Sequence, residues 1–165
     1  MAFKKPTEAS ANAKLRVLDG KLPDFEFPFN PTSFKLTRSV NWAEQAPAFQ
    51  PYTTLSYGNG ASDKLGFELL LDTTETSKSV MRDIKKLYKF TLPGKLSEVI
   101  RPPLTLFVWE AFLFQGVVNS LDFDVKLFDE TGTPKRANVT VAMTGKAFMD
   151  AKTALSFFGQ TFSFL

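Results

Sequence analysis

Three observations predict a mainly β fold with one α-helix for these 165 residues. Apolar residues recur at every second position through most of the chain, which is the period of a half-buried strand. One segment, 77–90, instead carries its apolar residues at helical spacing. Two runs of alternation, 112–128 and 135–146, flank a single turn and make a hairpin far longer than ordinary strands of about five or six residues.

Along the chain, residues 1–13 are small, charged and aperiodic, and read as a mobile tail. From Lys14, KLRVLD alternates as a short strand. FEFPFNP places Phe25, Phe27 and Phe29 at period two, with Pro28 and Pro31 restricting it to an edge or a turn entry. SFKLTRSVNW continues the pattern, and 43–52, with two prolines, reads as a loop. The next stretch is expected to hold two strands around a GNGASD hairpin turn. Its second strand, Leu65 to Leu71, is so evenly apolar that burial on both faces is expected. Thr74 or Ser77 is expected to cap a helix of about 13 residues with Val80, Ile84 and Leu87 on one stripe. Pro93-Gly94 closes it. After Arg101-Pro102-Pro103, TLFVWE is a short strand. Phe112 to Phe128 would span about 55 Å at about 3.3 Å per residue, with Gly116 as a bend. DETGTP is the turn into the returning strand.

Composition narrows the chemistry. The chain has no cysteine and no histidine. That excludes disulfides, thiolate metal sites and every Ser-His-Asp or Cys-His arrangement. Eighteen Phe stand against two Trp and three Tyr, so the aromatic mass is nearly all apolar and serves packing. Asp122 and Asp124 share a strand face at a spacing seen in glycosidases, but nothing converges on them, and a solvated face is the better reading. Asp72 and Glu75 are read as carboxylates at the positive end of the helix. GNGAS lacks phosphate-loop spacing. NVT, 138–140, is a formal sequon without a preceding signal peptide. Twenty Lys and Arg against 17 Asp and Glu give a net charge of +3. Lys85, Lys86, Lys89, Lys95 and Arg101 cluster near the helix end, so a single-stranded nucleic-acid-binding β-domain is weighed. The Phe residues occupy apolar positions rather than a polar stacking face, and no specific nucleic acid is expected. No apolar run is long enough to span a membrane. No catalytic residue, cofactor or metal is expected, and the protein is expected to be made in a cytoplasm without a signal peptide.

Four blocks, in order, resemble one family. FPFNPTSFKLTRSVNW matches at Phe29, Asn30, Pro31, Thr32, Phe34, Trp42 and Glu44. LGFELLLDTTE is the second block, and PPLTLFVWEAFLFQGVVNSLDF the third. FDETGTPKRANVTV matches at Phe128, Gly132, Pro134, Arg136 and Ala137. Together they resemble the tube-like baseplate proteins of contractile injection systems and contractile phage tails, in the tube-initiator or LysM-adaptor branch. Two departures stand out. Glu110 occupies a position that is often Gly, and a Phe-rich segment stands where family members often carry a LysM module.

The resemblance implies a tail-tube-like β-barrel or sandwich over 14–147, with the long hairpin joining an inter-subunit β-barrel. It implies a structural ring of six, part of a phage virion or injection-system particle. That ring would link spike or hub to inner tube and template tube assembly, among baseplate wedge proteins. The alternative within the class is the main inner-tube subunit. Phe123, Val125, Leu127, Val139 and Val141 are expected at the subunit interface, with Phe157, Phe158, Phe162 and Phe164 of an apolar docking segment, 148–165. Asp122, Asp124, Lys126, Asn138 and Thr140 are expected to face the lumen.

Overall fold

The computed structural model describes residues 12–46, 52–96, 99–110 and 112–148. Seven strands form the main sheet: β1 (Lys14–Val17), β2 (Phe25–Glu26), β3 (Phe34–Thr37), β6 (Asp63–Asp72), β9 (Thr105–Trp109), β10 (Phe112–Phe128) and β11 (Pro134–Phe148). Their order is β2-β1-β9-β10-β11-β6-β3. β4 (Val40–Gln45) pairs with β5 (Thr54–Gly60), and β7 (Gly94–Leu96) with β8 (Val99–Arg101), as separate two-stranded ladders. The mainly β architecture with one helix is as the sequence predicts.

The long hairpin is real, and it is not one uniform ribbon. Val118 faces Met143, but Ser120 faces Ala142, so Asn119 is an extra residue in β10. A bulge shifts the pleat by one position. Before it, Phe114 and Val118 point into the core; after it, Leu121, Phe123 and Val125 take that side, opposite Val141, Val139 and Ala137. The bulge reconciles two halves of a strand whose apolar residues are out of phase. A second register shift, between Val125 and Leu127, sets Leu127 opposite Arg136. Leu127 therefore leaves the apolar face that simple alternation assigns it.

The sheet curls. β3 and β10 are separated in the order by two strands, yet Phe34 stacks on Phe112 at 4.8 Å and meets Trp109 edge-on at 5.7 Å. Phe27, Phe67 and Phe107 fill the concave side, with the Phe67 and Phe107 rings 4.7 Å apart. Each is at least 98% buried, and burying a Phe side chain contributes about 2 kcal/mol. Ala13 also lies in this core, its N–H donating to Asn30 Oδ1 at 2.7 Å.

α1 (Met81–Tyr88) closes the other part of the core. It is shorter than the spacing suggests, because residues 73–79 form turns held by backbone and side-chain bonds. Thr73 N–H donates to Lys135 O, Val80 N–H to Pro134 O, and Met81 N–H to Ser79 Oγ. Val80, Ile84 and Leu87 are buried, as their stripe predicts. The Lys135 ammonium, almost wholly buried, donates to the carbonyls of Thr76 and Lys78 at 2.9 and 3.3 Å.

Three local expectations are corrected. β5 and β6 do not pair with each other: β5 pairs with β4, and β6 with β3 and β11. GNGASD is a crossing between ladders, not a hairpin turn. β6 is buried on one face only, since Gly66, Glu68 and Leu70 lie on the side away from the core. Asp72 is not at a helix start; its carboxylate accepts from Thr74 N–H and Oγ1 and pairs with Arg136.

Candidate functional site

The main sheet ends in open edges. β9 covers β10 only from Phe112 to Gly116. From Val117 to Phe128 no described residue pairs with that edge, a reach of about 35 Å at about 3.3 Å per residue. On the opposite side, β3 covers β6 at Lys64–Phe67, leaving Glu68–Asp72 and the outer edge of β3 open among the described residues. An open edge presents rows of backbone donors and acceptors, a template for another strand. Bulges and charges usually blunt such edges, and β10 has both, yet it also carries an apolar rim. Phe123 is 47% exposed and Phe128 56%.

The residues expected at the interface divide. Phe123, Val125 and Leu127 lie on β10 at the open edge, Phe123 and Leu127 exposed and Val125 half-buried. Val139 and Val141 lie one strand inward, fully enclosed in the chain's own core, and have no surface left to offer. The apolar face of β11 is enclosed in the core, whereas Phe123 on β10 remains exposed and Val125 half-buried. Phe157, Phe158, Phe162 and Phe164 lie outside the described residues.

The five residues expected to face a lumen do share one surface. Asp122 faces Thr140 and Asp124 faces Asn138 across the β10–β11 ladder, and all are exposed on the side away from the core. Lys126, in the second bulge, pairs with Asp124. Glu68, opposite Thr140, and Arg136, opposite Asp72, extend this surface onto β6. Its charges alternate in sign and partly pair. The Thr74 N–H and hydroxyl, with Arg136 beside them, hold the Asp72 carboxyl below its ordinary value. The Thr131 hydroxyl and the Thr133 N–H do the same for Asp129 in the hairpin turn. Among the described residues no cluster of carboxylates is placed to hold a metal, and no helix is long and apolar enough to cross a membrane.

Sequence reasoning missed one feature. The β4–β5 ladder continues the β3–β6 ladder past Thr37–Lys64, and among the described residues it leaves every residue of β4 exposed. Trp42 and Tyr57 meet edge-on at 5.7 Å, 57% and 62% exposed. The signal was present as apolar residues at 40, 42, 55 and 57 flanking the proline-bearing loop, but GNGASD was read as the turn joining the second of these strands to the next.

Among solved structures, the chain resembles the tail of an empty GTA particle, refined with C6 symmetry, at 12% identity and TM-score 0.45, covering 86% of this chain and 96% of that one. It resembles a chain of the native gene transfer agent virion at 11% identity and TM-score 0.42, covering 86% and 97%. No curated protein matches it in sequence. The family model for the contractile injection system tube protein matches residues 2–154. The chain belongs to the contractile injection system tube protein family.

Proposed function

We propose that this chain is a structural ring protein: six copies close edge to edge around a channel, at the junction between the spike or hub and the inner tube of a contractile particle. The observation that carries this reading is the uncovered outer edge of β10 beside an exposed apolar rim. The β10 edge of one copy adds to the opposite edge of its neighbour's sheet, formed by β3 and the uncovered end of β6. The two edges differ, so the contact is heterologous, and such contacts form rings when the rotation closes. Closing pairs these two open edges with each other. Phe123, Val125 and Leu127 then lie at the junction. Asp122, Asp124, Lys126, Asn138 and Thr140 face the channel, and α1 stands on the outside.

Six is the number that the resemblance to tube-like baseplate proteins implies. The same resemblance suggests spike or hub on one side, tube on the other and wedge proteins around the ring, with 148–165 docking on a neighbour. The function needs no covalent step. A second reading, the main inner-tube subunit, is favoured by the description of the matching family as a tube protein. Both readings use the same ring and differ in what stacks on it.

Phe123→Lys tests the ring. The site is half-exposed in the subunit, so the charge costs the fold little, but it places a cation at the junction. The expected result is a folded monomer with the parent's thermal transition and no rings by electron microscopy. Persistent six-fold rings would contradict the proposal.

A further inference from the structure

We infer that the outward face of α1, with the cleft at its C-terminal end, is the docking surface for an acidic segment of a partner protein. That segment lays carboxylates along α1 and seats an apolar side chain in the cleft. The contact goes beyond the ring reading and stands whether or not the β10 edge closes a ring.

The helix carries a cationic crest. Val80, Ile84 and Leu87 face the core. At about 3.6 residues per turn, the arc opposite them holds Arg82, Lys85, Lys86 and Lys89, all exposed. Asp83 is the one acid of 81–89, and it pairs with Lys86 at 2.9 Å. Among the described residues no carboxylate pairs with Arg82, Lys85 or Lys89. With four cations and one acid, 81–89 carries a charge of +3, which is that of the whole chain, so all the rest sums to zero.

This arrangement costs the isolated subunit stability. Arg82 with Lys86, and Lys85 with Lys89, are like charges at i,i+4, where an opposite pair would stabilise. The helix dipole favours Lys85 and Lys86 in the last turn. It disfavours Arg82, in the first turn. A negatively charged partner offsets both penalties.

The cleft supplies the apolar half. A groove of about 540 Å³ along Arg82, Lys85 and Lys89 meets, at Lys89, a cleft of about 860 Å³. Leu22, Leu92, Pro93 and Pro103 wall that cleft, and Lys21 and Arg101 join Lys89 in it. Its one carboxylate, Asp19, is engaged by Arg101 and the Leu104 N–H. The fitting occupant therefore has carboxylates for the crest and an apolar anchor for the cleft. Anchors in pockets carry affinity, while charges give orientation and rate. Nucleic acid fits less well. Single strands are held by aromatic stacking beside cations, and among the described residues no aromatic side chain lines the groove or the cleft.

The probe is a labelled synthetic peptide, a run of glutamates ending in two leucines; its control has serines for the leucines. Both are titrated against the full-length chain near physiological ionic strength. The leucine peptide should bind saturably, about tenfold more tightly than the control. Leu92→Ser should abolish that difference. Lys85→Glu separates docking from mere solvation. It creates opposite-charge pairs with Lys89 and Arg82, so the thermal transition should hold or rise. Peptide affinity should nonetheless fall about tenfold, because like charges then face each other. Unchanged affinity in Lys85→Glu, equal binding of the two peptides, no saturable binding, or tighter binding of a poly-dT oligonucleotide at the same salt would overturn the inference. Phe123→Lys, the ring-breaking variant, should bind the peptides as the parent does, so failure of the ring is not mistaken for failure of this contact.

Discussion

Gly116 and Gly145 face each other across the β10–β11 ladder. A Cβ on Gly116 would lie 2.9 Å from the Gly145 Cα, and one on Gly145 would lie 2.5 Å from the Gly116 Cα, with facing backbone oxygens closer still. The same row is clamped from the other side, where the buried Thr105 hydroxyl donates to Gly116 O at 2.9 Å. The two strands approach as closely as they do because neither carries a side chain here.

Gly145→Ala should therefore destabilise the fold by about 3 kcal/mol, the upper part of the overpacking range, because the colliding atoms are backbone and cannot rotate away. Gly66→Ala, in the adjacent strand with open space around its Cβ position, should stay within about 0.5 kcal/mol. Thermal unfolding of the two variants checks this. Equal effects would mean that the close approach does not shape the sheet.

Glu110 has φ of 52° in the turn between β9 and β10. A side chain there is strained, which gives the Glu in place of the family's frequent Gly a physical consequence. Glu110→Gly should stabilise the protein by about 0.5–1 kcal/mol, the left-handed penalty relieved less the extra chain entropy of glycine. A midpoint shift in denaturant at constant m-value measures it.

Lys135 ties the segment before α1 to the turn end of the hairpin through the carbonyls of Thr76 and Lys78, with Asp129 3.7 Å away. Lys135→Met keeps the buried stem and removes those bonds. The expected cost is about 1–2 kcal/mol, since both carbonyls turn to water. Faster amide exchange at Val80 and Ile84 should accompany it.

Asp72 and Asp129 have carboxyls held below the ordinary aspartate value. For a depressed acid, the stabilising contribution is present above the unfolded value and is lost as pH falls through the folded one. The anchors should therefore hold unchanged through neutral and mildly acid solution and release only below about pH 4. Carboxyl chemical shifts followed on acidification, with Asp72→Asn as control, test this. Titration of either group above the ordinary aspartate value would contradict it.

Much of this fold was legible from spacing. The helix stripe of Val80, Ile84 and Leu87 and the long hairpin both follow from periodicity, because each buries one face. What spacing could not reveal were the bulges at Asn119 and Lys126, since a single extra residue changes which face a side chain takes while the sequence shows only alternation. Leu127 was assigned to the wrong face for that reason. Val139 and Val141 looked equivalent to Phe123, yet they sit one strand further in, buried in the core, and strand order is a long-range property. The β4–β5 hairpin was hidden because GNGASD read as the turn joining its second strand to the next. Its exposure, like that of the β10 edge, depends on which strands fail to find partners.

The most direct test of the account is amide hydrogen exchange along Val117–Leu127, compared between isolated and assembled full-length chains. The account predicts that the outward amides of β10 exchange fast in the isolated subunit and fall in the assembly to the slow exchange of β11. Equally fast exchange in both states would contradict the claim that this edge closes the ring.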